Sequence, residues 1–151
     1  MSKIIINGVD GNLGKQVVTD IINLIPKKNV ILTAPSKEPL QQYQKLDFKT
    51  AMVDFTHTET LDPVFKDADK VLLISMPFVG KKRRQAHKNV IDACVRANVK
   101  QIIYTSVLSS ANPLNPSIEN IDHGYTEALI QNSPLDYIIL RNSLFAEAFI
   151  S

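Results

Sequence analysis

KIIINGVDGNLG, residues 3–14, decides the fold of this chain. Three consecutive isoleucines, Ile4 to Ile6, read as a short buried strand, and Asn7 and Gly8 end it. Gly8, Gly11 and Gly14 recur every third residue, and an amphipathic helical pattern follows at once. Strand, glycine turn and helix N-terminus in that order form a phosphate-binding device. The first helical turn offers unpaired N–H groups and the positive end of a dipole. The glycines let the backbone turn sharply and approach a pyrophosphate. The spacing is GxxGxxG rather than GxGxxG. The same turn also serves as a tight strand-to-helix connection kept for packing, and both readings stand at this point.

Outward from that stretch, apolar runs alternate with helical spacing. Leu13, Val17, Val18, Ile21, Ile22 and Ile25 fit one helix face, closed by Pro26. Asn29 to Thr33 reads as a second strand, broken by Ala34-Pro35-Ser36. A short helix over Leu40 to Leu46 leads to a third strand, Lys49 to Val53, ending at Asp54. A helix over Thr58 to Phe65 precedes a fourth strand, Lys70 to Ser75, apolar on both faces. Met76 to Gly80 is a loop, and a helix runs from Arg83 to Asn98. Val99 to Thr105 gives a fifth strand, 108–118 a loop with Pro113 and Pro116, Glu119 to Asn132 a helix, and Leu135 to Leu140 a sixth strand. A further helix begins at Ser143.

Strands separated by helices imply a parallel sheet with right-handed crossovers. The expected fold is therefore a doubly wound α/β domain over 1–151, Rossmann type, with three αβα layers and strand order 3-2-1-4-5-6. Ligand then sits where strands one and four diverge. That topology brings Gly8 to Leu13, Asp54, Ser75 to Pro77 and Thr105-Ser106 around one crevice.

Composition sets the outer bounds. The chain has 151 residues, 44% of them apolar and 21% charged, an ordinary globular balance. A net charge of +2 gives no bulk drive toward nucleic acid or membrane. One cysteine, Cys94, forms no intrachain disulfide and reads as a small buried hydrophobe. No n-region with a long apolar run opens the chain, and no stretch reaches the roughly 20 apolar residues of a bilayer span, so a cytoplasmic location is expected.

At this point the chain resembles the NmrA-like atypical short-chain dehydrogenases, nearest their NAD(P)H:quinone oxidoreductase branch. The residues that carry this are GVDGNLG at 8–14, VDFTHTETL at 53–61, VLLISMP at 71–77, HKNVIDACVRANVKQIIYTS at 87–106, and His123, Glu127 and YIILRN at 137–142. The resemblance implies a dinucleotide, NAD or NADP. It implies a pyrophosphate held by Gly8, Asp10, Gly11, Asn12, Leu13 and Gly14. Asp54 and Phe55 would flank adenine, and Ser75, Met76, Pro77 and Thr105 would line the ribose–nicotinamide side. It implies a quinone as acceptor, or in a regulator a protein partner and a non-catalytic redox-sensing role. Family members run to nearly twice this length, and the part that completes their substrate cleft follows the LRN block. This chain reads as such a protein cut short, with an open cleft that favours self-association.

Three departures follow. Ala34 and Pro35 stand where many members carry an arginine for the 2′-phosphate of NADP. Ala128 stands where the family often has a lysine near the nicotinamide ribose. Asp10 replaces a threonine inside the glycine turn, and a carboxylate there repels a pyrophosphate unless it points away.

Other chemistry is thinly signalled. No YxxxK occurs: Tyr104, Tyr125 and Tyr137 each lack a lysine four residues on, so no tyrosine is assigned as general acid and no catalytic residue is named. Tyr137 has Arg141 at that spacing, by chance. His57, His87 and His123 lack metal-ligand spacing, and the latter two are expected to hydrogen-bond within the fold. Asp54 reads equally as a cap for the following helix. Lys81-Lys82-Arg83-Arg84 reads as a solvated helix start, against the alternative of a cationic rim over the cofactor mouth.

Overall fold

The computed structural model describes residues 2–110, 112–114 and 116–143. Six strands form one sheet: β1 (Ile4–Asn7), β2 (Val30–Ala34), β3 (Lys49–Met52), β4 (Lys70–Leu73), β5 (Gln101–Val107) and β6 (Asp136–Asn142). All pairings are parallel and the order is β3-β2-β1-β4-β5-β6, as the glycine turn after the first strand predicts. Helices α1 (Asn12–Ile21), α2 (Glu38–Gln44), α3 (Asp62–Phe65), α4 (Lys81–Arg96) and α5 (Ile118–Gln131) cover its faces.

The period of two along each strand divides the core. Ile4, Ile6, Val30, Leu32 and Leu72 point toward the layer of Val18, Leu40 and Tyr43. Ile5, Ile31, Val71, Leu73, Ile102 and Tyr104 point toward Phe65, Ala86, Val90, Cys94 and Ile130. Helices thus lie on both faces of one sheet, the expected three-layer αβα arrangement. Each fully buried isoleucine here contributes about 1.5–3 kcal/mol relative to exposure, which is why a run of three in β1 marks the centre of the sheet.

Element ends differ from the expectation in ways that matter at the site. α1 stops at Ile21, four residues before the expected close at Ile25; Pro26 disfavours helix at the residue before it and clashes with the carbonyl four back. The helix expected over Thr58 to Phe65 divides into a 3₁₀ turn, Thr58–Thr60, and α3. β4 ends at Leu73, two residues early, and β5 runs two residues late, to Val107. α4 starts at Lys81 rather than Arg83. The further helix expected from Ser143 falls on 144–151, outside the described residues. Among the described residues no helix is long and apolar enough to cross a membrane.

Candidate functional site

β1 ends on Asn7, whose side chain is fully buried. Its Nδ2 donates to the Leu72 carbonyl at 3.1 Å, and its Oδ1 accepts from Thr33 Oγ1 at 2.6 Å. One carboxamide therefore ties the carboxyl ends of β1, β2 and β4 together where the strands begin to diverge. The chain then turns: the N–H groups of Gly8 and Val9 both donate to the Thr33 carbonyl, and Gly11 N–H donates to the Gly8 carbonyl. Gly8 has φ +75°, a left-handed conformation that glycine adopts without strain. A Cβ on Gly14 would lie 2.0 Å from the Gly8 carbonyl oxygen, so only glycine lets α1 pack this closely on the turn. Gly11 caps α1 with extended backbone and no side-chain hydrogen bond, and the first turn carries no acidic residue. Its first N–H groups are consequently left to an incoming acceptor. From below, Tyr43 OH donates to the Val9 carbonyl at 3.1 Å. Burial, and then the charge of Asp10, push the Tyr43 phenol up.

Beside this turn lies a cleft of about 450 Å³. Gly8, Asp10, Gly11, Asn12, Leu13 and Gly14 line it from the turn, Asp54 and Phe55 from the end of β3, and Ser75, Met76 and Pro77 from the end of β4. The convergence expected from topology is thus seen for these residues. Thr105 departs from it. It lines a second cavity of about 680 Å³, and its Oγ1 accepts from Ser75 N–H at 3.0 Å. Because β5 extends to Val107, Thr105 remains inside the ladder, opposite Leu140. Leu13, Ile74 and Ser75 line both spaces, so the two are contiguous.

Asp54 has its own local work. Its Oδ1 accepts from Thr56 N–H at 2.8 Å and Thr56 Oγ1 at 2.7 Å, and Oδ2 lies 3.0 Å from His57 Nδ1. Burial raises its pKa, but the Thr56 and His57 hydrogen bonds outweigh that and hold it below the usual range. The carboxylate closes the turn after β3 while lining the cleft. Ala34 is buried, and among the described lining residues those from the end of β2 are Thr33, Ala34 and Pro35, none of them a cation. Lys82 is the cation among the lining residues, its Nζ 4.5 Å above the Phe78 ring. Position 128 is on the exposed side of α5 and lines neither cavity, so the expected lysine site is not at the cleft.

The reading of Lys81–Arg84 as solvated is corrected for both arginines. Arg83 is 4% exposed. Its Nε donates to the Phe78 carbonyl and its Nη1 pairs with Glu119. Arg84 pairs with the fully buried Asp122 at 2.6 Å, and the other Asp122 oxygen accepts from Gly80 N–H. The cations that oppose the α4 dipole are matched by two carboxylates of α5, and these tie α4 to α5.

Three further groups escaped the sequence reading as site residues. His87 is fully buried; its Nε2 accepts from Met76 N–H at 3.1 Å, so the proton sits on Nδ1 and donates to Thr126 Oγ1 at 2.9 Å. Burial, then the charges of Arg83 and His123, lower it to about 3. A neutral histidine thus holds up the Met76 segment that floors the cleft. Glu127 accepts from Ser106, Ser110 and Arg141, which outweigh its burial and hold it below the ordinary carboxylate value. Arg141 therefore serves Glu127, and Tyr137, 46% exposed, takes no part. His123 lines the second cavity against Tyr104. The signal that was available is the i,i+4 spacing of Glu119, His123 and Glu127, which puts all three on one face of α5.

A family profile described as NAD(P)H-binding matches residues 8–148. Quinone oxidoreductase 2 of Escherichia coli is 30% identical over 149 residues, covering 98% of this chain and 51% of that protein. An NmrA-like family domain-containing oxidoreductase of Aspergillus flavus is 28% identical over 151 residues, covering 96% of this chain and 48% of that protein. The chain spans about half the length of these relatives. Triphenylmethane reductase of Citrobacter sp., solved with NADP(H), superposes with a TM-score of 0.92 at 26% identity, covering 99% of this chain and 52% of that one. An NADPH-dependent quinone oxidoreductase of Escherichia coli, solved with NADPH, gives 0.90 at 28% identity, covering 97% and 51%.

Proposed function

This chain belongs to the NAD(P)H-binding family, and we propose on that premise that it holds a reduced dinucleotide in the first cleft and serves a quinone-class acceptor in the second cavity. One observation carries the reading: the glycine turn leaves the N-terminus of α1 open at the point where β1 and β4 diverge. Gly14 lets α1 seat against the Gly8 carbonyl, which sets the first N–H groups of the helix beside the turn, where a pyrophosphate would meet them.

In this reading the backbone N–H groups of Asn12, Leu13 and Gly14 bind the pyrophosphate, with Gly8 and Gly11 shaping the turn that presents them, and Asp54 and Phe55 flank the adenosine end. Ser75, Met76 and Pro77 carry the chain of contacts toward the second cavity, where Thr105 fixes Ser75 from behind. The bound cofactor supplies a hydride, which with one solvent proton converts a quinone to a hydroquinone. The protein's part is binding and orientation. With Ala34 and Pro35 at the end of β2, a 2′-phosphate has no arginine to meet, so NADH is bound at least as tightly as NADPH. The similarity to quinone oxidoreductases of Escherichia coli supports the acceptor class.

Calorimetric titration with NADH and NADPH, paired with thermal melting, tests the reading. At a hundredfold excess over Kd a bound dinucleotide adds about 2.7 kcal/mol. No heat and no melting shift with either cofactor at millimolar concentration overturns it. Turnover with a quinone separates the enzyme from the redox-sensing regulator: binding without reduction favours the regulator.

A further inference from the structure

The second cavity contains a buried histidine whose proton position the surrounding groups define. His123 is 3% exposed and lines that cavity. Its Nδ1 lies 2.5 Å from Tyr104 OH. Its Nε2 faces Glu119 Oε2 at 3.5 Å. Glu119 is ion-paired to Arg83 and therefore a carboxylate, which only accepts. Nε2 must then carry the proton, since a bare nitrogen would face an acceptor. In the neutral ring Nδ1 is left as an acceptor, and Tyr104 donates to it. Burial pushes the Tyr104 phenol up, so it keeps its proton, and burial followed by the Arg83 charge lowers His123, so the ring is neutral near pH 7.

Tyr104 is fully buried and plugs the inner edge of the imidazole. The edge left for the cavity is the one that bears Nε2. At 3.5 Å the Glu119 contact is at the limit of a hydrogen bond, so the N–H retains its capacity for an incoming oxygen. Ser75 and Leu13 join this cavity to the dinucleotide cleft, which puts the N–H on the acceptor's side.

We propose that His123 is a hydrogen-bond donor of the second cavity, presenting Nε2–H to a carbonyl oxygen of a quinone-class acceptor, with Glu119 as the positioning residue that sets the tautomer and Tyr104 occupying Nδ1. The inference rests on the function proposed above. A neutral imidazole polarises a carbonyl without surrendering its proton, and it keeps that form while its other nitrogen stays occupied. No catalytic tyrosine with a lysine is then required.

The test uses the full chain with ¹⁵N-labelled histidine and duroquinone, whose methylated ring does not add thiols. Long-range ¹H–¹⁵N spectra of the wild type are expected to show Nε2–H at His123, and duroquinone to shift that proton. His123→Phe should weaken duroquinone binding about tenfold, whereas His123→Gln, which still offers an N–H, should stay within about threefold. Glu119→Ala, which removes the acceptor facing Nε2, should give a mixture of tautomers, a change that a purely space-filling role would not produce. An Nδ1–H tautomer in the wild type, no duroquinone binding to the wild type, or wild-type affinity in His123→Phe each overturns the proposal. If His123→Phe does not fold, the wild-type tautomer and its duroquinone shift decide. Dinucleotide is titrated separately. Quinone binding without dinucleotide binding refutes the dinucleotide part of the proposed function alone, dinucleotide binding without quinone binding refutes its acceptor part together with this inference, and quinone binding at wild-type affinity in His123→Phe refutes this inference alone.

Discussion

Replacing Gly14 with alanine sets two effects of opposite sign against each other. On helix propensity alone, Gly14→Ala in α1 gains up to about 1 kcal/mol. The packing term opposes it. The new Cβ would lie 2.0 Å from the Gly8 carbonyl oxygen, 2.7 Å from its carbon and 2.8 Å from Val9 Cα, all of them backbone. No rotamer change relieves those contacts. α1 must retreat from the turn by roughly 1.5 Å to restore ordinary van der Waals separation of about 3.5 Å. Such overpacking costs about 1–3 kcal/mol. Set against the full propensity gain, packing leaves a net loss of up to about 2 kcal/mol, and the melting temperature is expected to fall by up to about 8 °C for a chain of this size. The same retreat carries the first N–H groups of α1 away from a bound pyrophosphate, so dinucleotide affinity should drop by about tenfold or more, about 1.4 kcal/mol. Thermal melting and calorimetric titration read both quantities. A Gly14→Ala protein that melts higher than the wild type and binds equally well would refute the packing argument at its root.

Asp10→Thr is expected to raise dinucleotide affinity about three- to tenfold, the scale of one screened unit charge at the turn; calorimetry showing no gain would mean the carboxylate avoids the phosphates. Asp122→Ala leaves Arg84 and the Gly80 N–H without their partner, and should cost about 3–5 kcal/mol, read as a fall in the urea midpoint. His87 governs acid stability. Its pKa is depressed from 6.5 to about 3 in the fold, so the unfolded chain binds a proton across that interval and the folded chain does not. Stability should fall as pH drops from about 6.5 toward about 3, and His87→Gln should flatten that slope in denaturation series taken at several pH values.

Much of the fold was legible because its signals are local. Ile4–Ile6, Asn29–Thr33 and Val71–Leu73 are β-branched or apolar runs, and helical spacing separates them. The glycine turn then selected the strand order. Most of the cleft followed, since topology alone brings residues 8–14, 54–55 and 75–77 together. What escaped depends on partners far along the chain. Arg83 and Arg84 look solvated in sequence because their carboxylates, Glu119 and Asp122, lie on another helix. His87 hydrogen-bonds within the fold as expected, but its support of Met76 through a lone pair leaves no pattern in hydropathy. Thr105, expected as the last residue of its strand, lies two residues inside it because β5 runs to Val107, and it lines the second cavity rather than the first.

The division of the walls between the two spaces has a consequence in time. Every described residue lining the first cleft lies between Gly8 and Lys82. The second cavity also needs Thr105 to Ser109, the first turns of α5, and Asn142 and Ser143. A ribosome adding about 5–20 residues per second therefore delivers the described first-cleft residues several seconds before Ser143 of the second cavity. In that interval a dinucleotide present in the surroundings meets its own residues first, and binding there would hold β1, β2 and β4 together while the strands that complete the sheet are still being made.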